Sequence, residues 1–229
     1  MSEAREDEAR EEEAEEEAAE SVEVRTIAAE RLTMFVDAVI AIAITLLALD
    51  LPVPEGNTNK ALLSFVAGPR REEYIAFLIS FAVIGAYWTA HHRVFRYVTA
   101  LGGNLVRLTL LWLLMQVITP FGTRVLTGNG AFQARFIFYA LIQVVASTLF
   151  ILMVRNVRKY RIYRKDTPPR LFYDAVRRSA APAFGFLLSI PLSFVGQTPA
   201  YACWIAVPVV GGILNRIDRR RTPGRAGPE

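Results

Sequence analysis

The acidic residue Asp37 lies well inside an apolar run of the sequence, residues 33–51. A bare charge in the hydrocarbon core of a membrane costs at least about 2.5–3.5 kcal/mol, so this carboxylate needs a polar partner. Arg31 is badly placed for that role, because six helical positions put it about 240° around the helix from Asp37. We therefore expect the partner to come from another helix.

Several side chains that can donate a hydrogen bond recur where later apolar runs reach the same membrane level, namely Trp88, His91, His92 and Asn104. The sequence predicts a structural polar cluster of these residues with Asp37 that holds three helices together. A proton relay through Asp37 and a histidine is the alternative, which a single intramembrane carboxylate makes less favourable. A metal site is not expected, because adjacent histidines point about 100° apart on a helix and no Cys or carboxylate lies nearby in sequence.

The same predicted helix carries a stripe with i, i+3, i+4, i+7 spacing, formed by Ile42, Thr45, Leu46 and Leu49. Periodicity alone favours ordinary helix packing for such a stripe. The functional alternative is a pore lining, in which apolar constrictions gate by dewetting and Thr45 offers hydroxyl oxygen to a passing cation. Asp50, at the end of the run, is either part of a ring of carboxylates at an outer mouth or an ordinary interfacial carboxylate.

The elements that position these residues follow from the distribution of apolar residues, which make up 53% of the 229-residue chain. Six apolar runs cover residues 33–51, 74–92, 105–125, 136–154, 179–195 and 201–214. A membrane-spanning helix needs about 20 apolar residues. We predict an all-α integral membrane protein with six transmembrane helices, in which prolines interrupt the last two runs.

The charges predict the orientation. If both termini are cytoplasmic, 21 of the 26 Lys and Arg lie on the cytoplasmic side and five lie outside. Basic residues then set the topology, and a nucleic-acid partner is not expected. The basic linker 155–178 and the tail 216–225 are candidates to bind anionic lipid headgroups.

Three segments are predicted along the chain. Residues 1–24 form an acidic low-complexity cytoplasmic tail, because 11 of the 22 acidic residues lie in the first 20 positions. After the initial Met-Ser these positions lack large apolar side chains, so we expect them to be solvated or disordered, with a helix as the alternative where the segment is tethered. Residues 25–217 form the six-helix transmembrane domain, and residues 218–229 form a basic cytoplasmic tail. No Walker loop, dinucleotide fingerprint or Ser-His-Asp arrangement is visible, so neither an enzyme nor a cofactor is expected.

The first runs carry motifs that resemble those of the lysosomal potassium channel family, most closely its single-repeat bacterial members. Arg31, Phe35 and Asp37, followed by an apolar helix that ends in Leu-Asp-Leu at 49–51, resemble the first-helix signature, although Val36 replaces the Ser of its Phe-Ser-Asp. Residues 87–95, which read Tyr-Trp-Thr-Ala-His-His-Arg-Val-Phe, are similar to the second helix, and Asn-Leu at 104–105 with Pro-Phe at 120–121 to the third.

This resemblance implies a potassium-permeable cation channel in the cell membrane, a homotetramer with the first helix lining the pore and modest selectivity for potassium over sodium. It implies a constriction of bulky apolar residues with a pore-facing hydroxyl beside them: Ile42, Leu46 and Leu49, with Thr45. The signature residues Arg31, Phe35 and Asp37 would hold helices together without touching the ion.

Two other functions compete with a channel. A secondary transporter would use helices interrupted by proline and glycine, as at Pro182, Gly185 and Pro191, around its substrate. The lack of an obvious internal repeat and the scarcity of intramembrane charge count against it. A membrane scaffold that conducts nothing is the third possibility.

Overall fold

A computed structural model describes residues 2–54, 57–60, 64, 68, 70–204 and 206 of the chain. Its main elements are the helices α1 (Ser2–Leu49), α2 (Arg71–Phe95), α3 (Leu105–Thr127), α4 (Phe132–Lys159) and α5 (Leu171–Leu192). Residues 197–204 form a further helical stretch. The prediction of an all-α protein is confirmed.

Helix α1 is a single helix of 48 residues without an internal glycine or proline. It ends just before Pro52 and Pro54, which cannot continue it. The segment 1–20, which was expected to be a solvated or disordered tail, is helical from Ser2 onward. Glu and Ala are strong helix formers, and a helix that is already nucleated by packing gains residues more easily than a new one forms.

Four helical segments are long and apolar enough to cross a membrane: Glu20–Leu49, Arg71–Phe95, Leu105–Thr127 and Phe132–Lys159. They correspond to the first four predicted runs. Helix α5 falls outside this set and carries Asp174, Arg177 and Arg178 in its first turns. The sixth run, 201–214, is described only at 201–204 and 206, and the tail 218–229 lies outside the described residues.

The helices pack in sequence order. Helix α1 lies against α2 and α3, α3 lies against α4, and α4 lies against α5. One apolar core joins α1 to the next four helices, with Val36, Ile84, Trp112, Phe150 and Phe172 among its members. A second core, nearer the start of α4, joins α4 to α5 and to the stretch 197–204.

The loops at one end of the bundle are tied to each other. Val98 and Tyr163 form an isolated antiparallel β-bridge between the α2–α3 and α4–α5 loops, and the backbone N–H of Thr99 donates to the Ile162 carbonyl at 3.1 Å. The hydroxyl of Thr26 on α1 donates to the Thr99 carbonyl at 3.4 Å. These contacts bring the N-terminal part of α1, the α2–α3 loop and the α4–α5 loop to the same side of the bundle, as an up-and-down arrangement of spans requires.

Candidate functional site

Helix α1 presents two opposite faces. Its inner face packs against the bundle and is almost completely buried at Val36, Ile40, Ala43 and Leu47. Its outer face carries the predicted stripe, where the exposed fraction is 59% at Ile42, 40% at Leu46 and 78% at Leu49. Since the two faces are separated by the helical repeat, the stripe is left uncovered by the described part of the chain.

The polar member of this stripe is Thr45, which is also exposed. Its hydroxyl donates to the Ile42 carbonyl one turn earlier, at 2.8 Å. A hydroxyl has one donor and two acceptor lone pairs, so this bond leaves the oxygen able to accept or to contact a cation. Alanines 38, 41 and 48 are exposed as well, so the outer face alternates bulky and small side chains.

Asp37 has its partner on α2. The indole N–H of Trp88 donates to the Asp37 carboxylate at 3.0 Å, and His92 stacks on Trp88 with 5.6 Å between the ring centroids. An N–H bond to a carboxylate is stronger than one between neutral groups. The arrangement therefore links α1 to α2 near the end of α2, as expected for a structural clamp.

The other predicted members lie elsewhere. His91 is fully buried and sits between Phe95 and Trp112, at centroid distances of 3.8 and 5.3 Å. Asn104 is exposed, and its side chain does not cap α3. Adjacent helical positions point about 100° apart, which is why His92 reaches Trp88 while His91 faces the core.

The remaining signature residues differ in burial. Arg31 and Phe35 are exposed on α1, whereas Val36, which stands where the signature has Ser, is fully buried in the core between helices. An apolar side chain fits that core without a hydrogen-bond partner, so the Val for Ser replacement suits this position.

Just after the C-terminal end of α1, Asp50 pairs with a cation of the same chain. The Arg124 guanidinium on α3 lies 3.4 Å from the Asp50 carboxylate, and both side chains are accessible to solvent. This ion pair reduces the negative charge that Asp50 presents at the end of the stripe.

Sequence reasoning missed a column of buried polar residues inside the bundle. On α3 it follows helical spacing through Thr109, Trp112, Gln116, Thr119 and Thr123, all of which are buried. Across from it lie Ser80 and Tyr87 of α2 and Tyr139, Gln143 and Ser147 of α4. The i, i+3, i+4 recurrence of polar residues in an apolar run was the signal that could have revealed it.

Part of this column is hydrogen-bonded across the helices. The Thr123 hydroxyl donates to Ser80 at 2.8 Å, and the Ser80 and Tyr139 hydroxyls share a bond of 2.9 Å. Tyr87 lies 2.7 Å from the Ser147 hydroxyl. Polar bonds between helices in an apolar surrounding fix the register of α2, α3 and α4.

The part of the chain that the structure describes holds no group of three or more His, Cys, Asp or Glu residues able to bind a metal. The neighbouring histidines point to different partners, so they do not form the beginning of such a site.

Comparisons with known proteins point to one family. Residues 31–120 match the family described as "Endosomal/lysosomal potassium channel TMEM175". A potassium channel of Streptomyces collinus is 33% identical over 174 residues, which cover 72% of this chain and 82% of that protein. A potassium channel of a Chryseobacterium species is 36% identical over 93 residues, 41% of this chain and 46% of that protein.

Among solved structures, the chain resembles the crystal structure of a lysosomal potassium-selective channel TMEM175 homologue from Chamaesiphon minutus. The TM-score is 0.66 and the sequence identity 25%, and the match covers 80% of this chain and 95% of that one.

Proposed function

The chain belongs to the TMEM175 family of potassium channels, and from this premise we propose that it is a potassium-permeable cation channel whose pore is lined by α1. The family consists of ion channels and not of enzymes, and four helical segments of this chain are long and apolar enough to cross a membrane, as a multi-pass membrane protein requires. No cofactor is needed, since potassium is the permeant species.

The observation that carries the proposal is the uncovered stripe of α1, with Ile42, Leu46 and Leu49 exposed and Thr45 among them. In a membrane, an exposed apolar face alone is unremarkable because lipid can cover it. A hydroxyl in that face, flanked by small alanines, favours contact with other α1 helices and with water over contact with acyl chains.

Assembly follows from the geometry of one helix. A single α1 cannot enclose a pathway, so the pore requires several copies, and we propose a homotetramer in the cell membrane with α1 nearest the symmetry axis. Each protomer would have six transmembrane helices and both termini in the cytoplasm, which agrees with the loops that meet beside Thr26. Anionic lipid headgroups would contact the basic linker 155–178.

The gate would be hydrophobic. From Ile42 to Leu49 the helix rises about 10.5 Å, so rings of Ile42, Leu46 and Leu49 form an apolar zone several water molecules long. Such a constriction blocks ions by dewetting and opens when it widens. With a hydroxyl ring at Thr45 and no ring of backbone carbonyls, the selectivity for potassium over sodium would be modest.

The outer mouth would be formed by Asp50. Four such carboxylates could concentrate cations, but the ion pair with Arg124 limits their effect in the observed arrangement. Asp37, Trp88 and His92 would hold α1 against α2 and would not touch the ion.

The test is ion flux through the purified full-length chain in liposomes, with potassium compared with sodium. Ile42→Asn and Leu49→Asn should each raise the flux several-fold, because an amide in the constriction holds water where the wild type excludes it. Leu187→Asn makes the same chemical change at an exposed position of α5, far along the chain from the stripe, and should leave the flux unchanged.

The result that contradicts the proposal is equally specific. Wild-type liposomes and both α1 variants without flux, for a protein that is folded by circular dichroism, would rule out a channel and favour a membrane scaffold. Potassium movement that requires a second, coupled ion would favour a secondary transporter. Equal effects of the α1 and α5 substitutions would remove the pore from α1.

A further inference from the structure

Several residues of the buried polar column have polar atoms without a hydrogen-bond partner. Among the described residues, this holds for both ring nitrogens of His91, Trp112 Nε1, Gln116 Nε2 and Oε1, and Gln143 Oε1. All four residues are fully buried, with an exposed fraction of 0%. Buried polar atoms are almost always paired with protein or ordered water, because leaving them unpaired costs free energy.

The four residues form one continuous group. Trp112 and Gln116 are four residues apart on α3, and Thr119, three residues further, lies 3.5 Å from the Gln143 amide nitrogen. His91 stacks on Trp112 with an angle of 11° between the rings. Trp112, Gln116 and Thr119 thus span about 10 Å along α3, with His91 beside the first of them and Gln143 beside the last.

The side chains cannot satisfy one another within the stack. The ring nitrogens of His91 and Trp112 direct their bonds along the ring planes, and parallel stacked rings do not aim these bonds at each other. His91 also stacks on Phe95 at 3.8 Å, which offers no acceptor on that side. A hydrogen-bond partner for these ring nitrogens must therefore approach from the edge of the stacked rings.

The unpaired donors and acceptors determine what kind of molecule can be their hydrogen-bond partner. Trp112 Nε1 only donates, Gln143 Oε1 only accepts, and the Gln116 amide has both kinds of atom unpaired. A metal cation cannot accept a bond from an indole N–H, and an anion cannot donate to an amide oxygen. Water does both, and it typically makes about three hydrogen bonds when it is buried between polar groups.

We propose that each protomer holds a buried water site beside Gln116, between α2, α3 and α4, where ordered water bridges Trp112 Nε1 and the amides of Gln116 and Gln143. The site lies in the interior of one protomer and is separate from the α1 stripe. It would continue the hydrogen-bonded network of Thr123, Ser80 and Tyr139 inward along α3.

The test is X-ray radiolytic labelling of the full-length protein in lipid nanodiscs, read by mass spectrometry. Hydroxyl radicals formed from a bound water modify the side chains beside it, even when these are shielded from bulk solvent. Trp204 is the internal comparison, because it is the same residue type, is 7% exposed and has its Nε1 bonded to Ser189 at 2.8 Å.

Exposure and the water site predict opposite orders of labelling. Trp112 is 0% exposed, so bulk access alone makes it the slower of the two tryptophans. The water site makes it the faster, by several-fold. Labelling of Trp112 at or below the rate of Trp204 would overturn the proposal.

A variant links the water to the glutamine. Gln116→Leu removes both amide atoms at nearly constant volume and should lower the labelling of Trp112 below that of Trp204. Gln133→Leu makes the same change at an exposed position of α4 and should leave the ratio unchanged. A high Trp112 rate that survives Gln116→Leu would also contradict the site, since the water would then not be held by this amide.

Discussion

Removing the indole N–H of Trp88 tests whether the bond to Asp37 holds α1 in place. In Trp88→Phe the ring that stacks on His92 is largely kept, but the Asp37 carboxylate loses the donor at 3.0 Å. A hydrogen bond to a charged group contributes about 1.5–3 kcal/mol. Because Trp88 is 40% exposed, we expect the lower end, roughly 1.5 kcal/mol of the free energy of unfolding.

The assay is a double-mutant cycle with Asp37→Leu, measured by denaturant unfolding in detergent micelles. Trp88→Phe should destabilise the wild-type background by the stated amount and have little effect in the Asp37→Leu background, where no carboxylate needs a donor. The cycle of Asp37→Leu with Thr89→Val serves as the control, because the Thr89 hydroxyl bonds only within its own helix, to Gly85. A coupling for the first cycle no larger than about 0.5 kcal/mol, the usual error of additivity, would refute a structural role for this bond.

Two further changes address the ends of the bundle. Arg124→Gln should free the Asp50 carboxylate and raise the inward potassium current at about 0.01 M salt. At about 1 M salt the current should not rise, because the screening length falls from about 30 Å to about 3 Å. Single-channel recording at both concentrations checks this, and equal effects at both would exclude a role of surface charge. Gly103→Ala should lower the free energy of unfolding by about 1–2 kcal/mol, because Gly103 has φ +59°. The added methyl group would also meet the exposed ring of Tyr160. If backbone strain and not this contact is the cause, adding Tyr160→Ala should not restore the lost stability.

Much of the fold could be predicted because membrane-spanning helices are recognised in a sequence by their length and apolar composition. The first four apolar runs correspond to helices, and the helix ends lie a few residues beyond the runs where polar residues extend the last turns, as at Lys159 of α4. For the acidic segment we expected a solvated or disordered tail, with a helix only as the alternative where the segment is tethered to the rest of α1. Its composition gives no packing signal, and its helix depends on being continuous with the packed part of α1.

The part of the site that lies on a single helix could be predicted from the sequence, whereas the part that depends on how several helices pack could be predicted less well. The helical repeat alone places Ile42, Leu46 and Leu49 on one face, but periodicity favoured ordinary packing for it, and only the packed structure shows that this face is exposed. The polar cluster required knowing how α2 is rotated. Sequence places His91 and His92 at the same level, but only the packed structure determines which of them meets Trp88 and which meets Trp112.

The unbroken course of α1 has a mechanical consequence. From Ser2 to Leu49 the helix is about 72 Å long, and it contains no proline, glycine or other hinge. An axial rotation or tilt of its N-terminal part therefore moves Ile42 and Leu49 by nearly the same angle. A protein or surface that binds the acidic end would act directly on the side chains proposed to close the pathway, with no intermediate domain required.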